Sequence, residues 1–327
     1  MIKLKGYAYS RIPFLLMSLL CLHAGCKKDL LHWDKVQQLE SHTTHRLNRI
    51  FFVDNTTGFV IGGDRFNQAD MLITRDGGKS WSYRTFPEAA KGLYGITQSP
   101  DGTVYVLGFD GKLLFSADTG NTWSFRQLDY LPLKQLAFTR PGEGIVIGGI
   151  SFDQGFRLGI DGEGQRQSRD SFGYELNDIR MLNAYTGYIS GYGVVLKTSD
   201  GGQSWDFMRV EGDNFTALDG HDENRVWVCG YEGSIYKTAD GGKTWDRLRN
   251  GNDLTRKKYR LLDILFLDEQ RGYAVGEEGA VIYTEDGGRH WMEFDRFTEH
   301  TLRSIAVAPD GSLLVAGDNG TFYRLRP

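Results

Sequence analysis

Cysteine is scarce: the 327 residues hold three, Cys21, Cys26 and Cys229. A disulfide framework is therefore excluded, and stability has to come from a large apolar core. Proline is scarce too, at 7, so the chain is no proline-rich, low-complexity polymer. Neither sign of charge dominates: 38 Lys and Arg face 42 Asp and Glu, a formal net charge of −4. That balance excludes a polybasic nucleic-acid binder. Beyond the N-terminal segment no stretch carries a helical period. There is no Cys-x-x-Cys and no Gly-x-Ser-x-Gly. Gly191-Tyr192-Gly193 opens like a phosphate loop, but Leu196 stands where its third glycine belongs. No cofactor is expected. What is abundant is glycine, at 42, with 40% hydrophobic and 13% aromatic residues. This excludes general disorder and points to many tight turns.

The N-terminus reads as an address. Lys3, Lys5 and Arg11 precede one apolar run, Ile12 to Leu22, a basic region and a short hydrophobic region in secretory order. The run is shorter than the roughly 20 residues of a membrane span. It ends in Ala24-Gly25-Cys26 and resembles a bacterial lipoprotein signal, in which the cysteine is acylated and becomes the mature N-terminus. Leu22 lies four residues before the cysteine instead of three, and His23 takes its place. The expectation is a signal peptide over 1–25, lipidation at Cys26, a short tether over 26–31, and attachment to the bacterial cell envelope, facing the periplasm or outer membrane. Arg11-Ile12-Pro13 resembles a sialidase motif, but it lies inside the targeting segment and carries no weight. Cys229, within Val226-Trp227-Val228-Cys229, reads as a buried small hydrophobe.

An octapeptide recurs at Thr74–Trp81, Ser116–Trp123, Thr198–Trp205, Thr238–Trp245 and Thr284–Trp291. Its pattern is Ser/Thr-x-Asp-x-Gly-x-Ser/Thr-Trp, with His290 varying the last copy. The aspartates, Asp76, Asp118, Asp200, Asp240 and Asp286, are 42, 82, 40 and 46 residues apart. The doubled step hides a degenerate copy at Asp161. Strand endings at Gly62, Gly108, Gly148, Gly191, Gly230, Gly276 and Gly317 count the units independently as seven. A period near 40 with alternating, β-branched segments predicts an all-β, seven-bladed β-propeller. The octapeptide is the turn between the third and fourth strands of a blade. Unit seven stops before its fourth strand, and His32-Trp33-Asp34 resembles Trp205-Asp206. Residues 32–37 are thus expected to complete the last blade and close the ring, making 32–327 one domain.

The octapeptide resembles the Asp box that occurs in sialidases, oligoxyloglucan-releasing hydrolases and the sortilin receptors. Its carboxylate can accept N–H groups of its own turn, and the tryptophans, Trp81, Trp123, Trp205, Trp245 and Trp291, cover it. Five equivalent turns spread round a ring cannot converge on one site, so the motif reads as structural. With Gly187-Tyr188-x-x-Gly191 and Gly272-Tyr273-x-x-Gly276, the chain resembles most closely the photosystem II stability and assembly factor family and its bacterial relatives, over nearly all of 32–327. The resemblance implies a non-catalytic propeller that docks a protein partner at a membrane.

Aligning the repeats on Leu47, Leu93, Leu133, Leu176, Phe215, Leu261 and Leu302 places Asn48, Tyr94, Lys134, Asn177, Thr216, Leu262 and Arg303 round one channel mouth. Arg46, Lys91, Tyr259 and Arg260 fall nearby. The expectation is a binding mouth of Arg46, Tyr94, Lys134, Tyr259, Arg260 and Arg303, basic and suited to an acidic peptide, a carboxylate or a lipid headgroup. The partner is an envelope or membrane protein, the membrane is reached through the N-terminal lipid, and a monomer is expected. His45 and His300 are equivalent positions in adjoining blades and with His42 form a candidate metal site. The alternative function is glycan binding or hydrolysis, with Asp178 and Asp263 as the carboxylate pair.

Overall fold

The computed structural model describes residues 30–253 and 257–327. The expected signal peptide, Cys26 and most of the tether lie outside the described residues. Among the described residues, alternating apolar segments bounded by Asp and Gly turns make 28 strands. They form seven antiparallel four-stranded sheets, each built from consecutive strands except the last. The first strands of successive blades touch one another all round the ring: Arg46–Phe52, Leu93–Gln98, Leu133–Arg140, Leu176–Met181, Phe215–Gly220, Leu261–Phe266 and Leu302–Val307. They line the central channel. Its upper mouth is where they begin; the turns after the third strands lie at the opposite, lower face. Among the described residues no helix is long and apolar enough to cross a membrane.

The ring is closed as expected, with a shift in boundary. Lys35–Gln38 pairs with Phe322–Arg326 and supplies the outer strand of blade seven. Residues 31–33 attach instead to the outer strand of blade six and its end, while the Asp34 N–H already donates to the Arg326 carbonyl of blade seven. Leu31 bridges Phe294. Trp33 stacks on Phe294 at 3.7 Å between ring centroids and donates its indole N–H to the Asp295 carbonyl at 3.0 Å. The bulky indole finds its apolar partner next door, so the segment staples two blades.

Seven clusters of buried side chains sit one between each pair of neighbouring blades. Leu47, Ile50, Val60 and Leu72 of blade one meet Leu314, Ala316 and Phe322 of blade seven, so the seam is as apolar as the rest. The strand-ending glycines are required by close approach. A Cβ on Gly276 or Gly317 would stand 1.9 or 2.0 Å from the carbonyl oxygen of Arg260 or Thr301.

The repeated turns follow one pattern. Asp76 accepts the Ser80 N–H at 2.9 Å, the Ser80 hydroxyl at 2.6 Å and the Thr74 hydroxyl at 2.8 Å, while Trp81 donates to the Gly78 carbonyl at 3.1 Å. Asp118, Asp200, Asp240 and Asp286 repeat the carboxylate bonds. Asp161 turns the chain at the expected place in blade three, accepting the N–H groups of Glu163 and Gln165. Cations of one blade cap the turn of the next: Lys197 reaches the Gly241 carbonyl at 2.8 Å, and Arg324 reaches that of Gly78 across the closure.

Candidate functional site: the channel mouth

Each first strand carries a bulge at the same place. The pairing register skips the residue after Leu47, Leu93, Leu133, Leu176, Phe215, Leu261 and Leu302. A bulge frees the extra residue from the ladder and re-aims its side chain. The seven residues so freed are those the alignment picked out, and all seven line one cavity of about 520 Å³ at the upper mouth. Some also brace the ring: Asn48, Asn177 and Thr216 donate to the carbonyls of Leu93, Phe215 and Leu261 in the next blade.

The mouth cations are not bare. Arg46 and Arg303 share Asp318, at 3.1 and 2.5 Å. Burial works against the Asp318 charge, but the two guanidinium groups outweigh it and hold its carboxyl below the usual range. Lys134 pairs with Glu175 at 2.6 Å and donates to Asn177 at 2.6 Å. Burial pushes its ammonium down, with Glu175 opposing. Lys91 pairs with Asp110 at 2.6 Å, and Arg260 with Glu277 at 3.3 Å. The expected basic ring is therefore an ionic lattice. Asp110, Glu277 and Asp318 come from the turns after the second strands, which the alignment of first strands did not consult, while Glu175 directly precedes the aligned Leu176. Tyr259 is only 4% exposed, packed among Leu261, Ile264 and Phe266, and so does not face the mouth.

The channel is bridged at its waist. Arg49, two residues beyond Leu47, bonds Asp178 at 2.8 Å and Asp263 at 3.3 Å and lines both the upper cavity and a lower one of about 790 Å³. Each carboxylate also accepts backbone N–H groups, Asp178 from Ile179 and Leu218, Asp263 from Ile264 and Ile305. Burial pushes Asp263 up to about 6, against the pull of Arg49. Burial also opposes the Arg49 charge, but Asp178 and Asp263 outweigh it and raise the guanidinium. Two carboxylates clamped on one guanidinium and tying adjacent blades are not arranged as the free acid and nucleophile of a glycosidase. Arg49 was legible: Leu+2 is cationic in blade one and acidic in blades four and six.

The histidines do not converge. His45 Nδ1 lies 2.8 Å from Asp70, which also accepts from Thr43, Gln68 and Tyr83, while His300 meets Asn319. Among the described residues no group of three or more His, Cys, Asp or Glu is placed to hold a metal.

The alignment also passed over the aromatic rim. Phe66, Phe152 and Tyr192 are 59%, 46% and 47% exposed. Phe66 packs on Phe109 at 5.6 Å and Phe152 on Tyr192 at 5.0 Å. Arg65 lies over the Phe66 and Phe109 rings, at 5.2 and 4.7 Å. Ser151 and Phe152 both have left-handed backbones, φ 58° and 68°, which costs a bulky residue about 1–3 kcal/mol. The signal in five blades was the residue following the strand-ending glycine, Phe109, Tyr192 and Tyr231 on one side of the ring and Glu277 and Asp318 on the other, while Phe66 and Phe152 stand four residues after Gly62 and Gly148.

Comparison with known proteins agrees with the propeller fold. A solved structure of YCF48 bound to D1 peptide matches with TM-score 0.67 and 19% identity over 91% of this chain and 96% of that one. YCF48 from Cyanidioschyzon merolae matches with 0.66 and 17%, over 89% and 98%. U3-55K matches with 0.70 and 11%, also over 89% and 98%. At such identities these likenesses show the fold. No curated protein matches in sequence. The family model described as photosynthesis system II assembly factor YCF48 matches residues 27–129 and 208–280, more than half of the chain, and the protein belongs to that family.

Proposed function

We propose that this protein is a non-enzymatic, membrane-tethered scaffold or assembly factor that docks a segment of a protein partner at the upper channel mouth. The observation that carries the reading is the mouth itself: seven bulged residues, one per blade, converge on a single cavity that Arg49 closes from below. A cavity with a floor takes a chain end or a loop; it does not thread one. The related YCF48 bound to D1 peptide supports a peptide as ligand. Arg46 and Arg260 stand at this mouth, each already paired with a carboxylate, so reversing both charges turns this part of the rim acidic. The outer strand of blade seven starts, at Lys35, on the lower face, and the expected lipid anchor at Cys26 lies upstream of it in the chain. The partner is then an envelope protein.

Affinity capture from detergent-solubilised native membranes tests this. Wild type is compared with an Arg46→Glu/Arg260→Glu variant whose tryptophan fluorescence shows it folded. A protein retained by wild type and lost by the variant is the expected result. Identical captures, or none, would overturn the reading, and labelling of Cys26 by radioactive palmitate tests the tether.

A further inference from the structure

We infer that the segment docked at this mouth is an extended, proline- and aromatic-rich stretch carrying one acidic residue, held by the aromatic arc of blades one to four and by Arg65. The inference rests on the reading of the mouth as a peptide site and names the chemistry of its ligand.

Two halves of the rim differ in kind. On blades six and seven the side chains that face outward are already paired, Arg260 with Glu277 and both Arg46 and Arg303 with Asp318. A strongly acidic peptide has to compete there with carboxylates the protein already supplies, and little net attraction is left. On blades one to four the situation is reversed. Phe66, Ile150, Phe152 and Tyr192 are exposed. The rings lie in two packed pairs, Phe66 with Phe109 and Phe152 with Tyr192. Aromatic-lined grooves are the surfaces on which polyproline II segments dock, because such segments are extended before binding and lose little freedom. Ile150, Phe152 and Phe109 line the mouth cavity itself, so the arc and the cavity are continuous.

Arg65 supplies the charge term. It also lines the cavity, its guanidinium carbon lies 5.2 and 4.7 Å from the centroids of the Phe66 and Phe109 rings, and among the described residues no carboxylate pairs with it. A guanidinium held over aromatic rings still has N–H groups to offer one carboxylate. The complementary ligand is therefore apolar along most of its length with one acidic side chain, not a run of acids.

Two labelled synthetic peptides of equal length test this by fluorescence anisotropy on the propeller. One is proline- and tryptophan-rich with a single central aspartate; the other alternates aspartate and glycine. The first is expected to bind at least tenfold more tightly, with little dependence on salt. Phe109→Ala with Phe152→Ala should weaken it by roughly tenfold or more, the size expected for aromatic anchors. Arg65→Ala should weaken it too, but should not affect the same peptide with asparagine in place of aspartate. Tighter binding of the acidic peptide, or indifference of the first peptide to these variants, overturns the inference while the peptide site stands. Binding of neither peptide overturns both.

Discussion

Arg49 is the single side chain on which the channel turns. It holds two carboxylates from blades four and six, 129 and 214 residues away in the chain, and keeps only 21% of its side chain exposed. Removing one partner of such a cluster strands the others without a counter-ion, at a cost of about 3–5 kcal/mol. Arg49→Met should lose about 3 kcal/mol of stability at pH 8, read by denaturant unfolding. The loss should shrink at pH 5. Asp263 is raised from 3.8 to about 6, so the fold prefers its neutral form. The stability this group contributes is complete below about 3.8 and is given up as pH rises through 6. In the variant the same ionisation has no guanidinium to offset it, so the penalty grows with pH. A loss equal at both pH values would mean that Asp263 is not the group responsible. Arg49, Asp178 and Asp263 share one repeat position, so the constellation was legible. That the three meet was not, since position in a repeat says nothing about reach across a channel.

Among the elements, the repeated turn has the most uniform electrostatics. Asp76, Asp118, Asp200, Asp240 and Asp286 are all lowered from 3.8 to about 2. At Asp118, Asp200 and Asp240 the hydroxyl of Thr122, Ser204 or Thr244 is the leading cause. At Asp76 and Asp286 burial opposes the charge and the hydrogen bonds outweigh it. These lowered values mean stability that is present above about 3.8 and lost as pH falls toward 2. The five turns should therefore fail together in that window, and tryptophan fluorescence against pH should show one cooperative acid transition. Asp200→Asn should flatten the acid limb without moving the neutral baseline. An acid midpoint unchanged in this variant would contradict the assignment. The turns were readable because the bonds to the aspartate carboxylates are local: donor and acceptor lie within four residues, so spacing alone specifies them. The bulges were harder. The alignment found the freed residues, but only the ladder register shows why they point into the channel.

At the scale of the whole molecule, stability depends on closure. Blade seven has three strands of its own and takes its fourth from Lys35–Gln38. Without that strand, Phe322–Arg326 presents an unpaired edge, which invites aggregation. A chain beginning after Gln38 should unfold at lower temperature and self-associate in size-exclusion chromatography, and a synthetic peptide of residues 31–38 should restore the monomer. Trp33→Ala, which removes the staple but keeps the strand, should cost about 2 kcal/mol, less than truncation of a fully buried tryptophan. A truncated chain as stable as the full one would mean that the ring is held by its apolar seams alone.

The number of blades, the order of strands within them, the turns and the closing segment were all determined by the sequence, because each depends on a period or on contacts a few residues apart. The register of the N-terminal strand and the state of the mouth were decided only in three dimensions. Trp33 chose Phe294 of a neighbouring blade over the strand expected to hold it. The cations read as a basic ring met Asp318, Glu175, Glu277 and Asp110, and the charge they seemed to promise was largely spent inside the rim. Whether a charged side chain faces solvent or a partner is a matter of distance, and distances between blades exist only once the ring has closed.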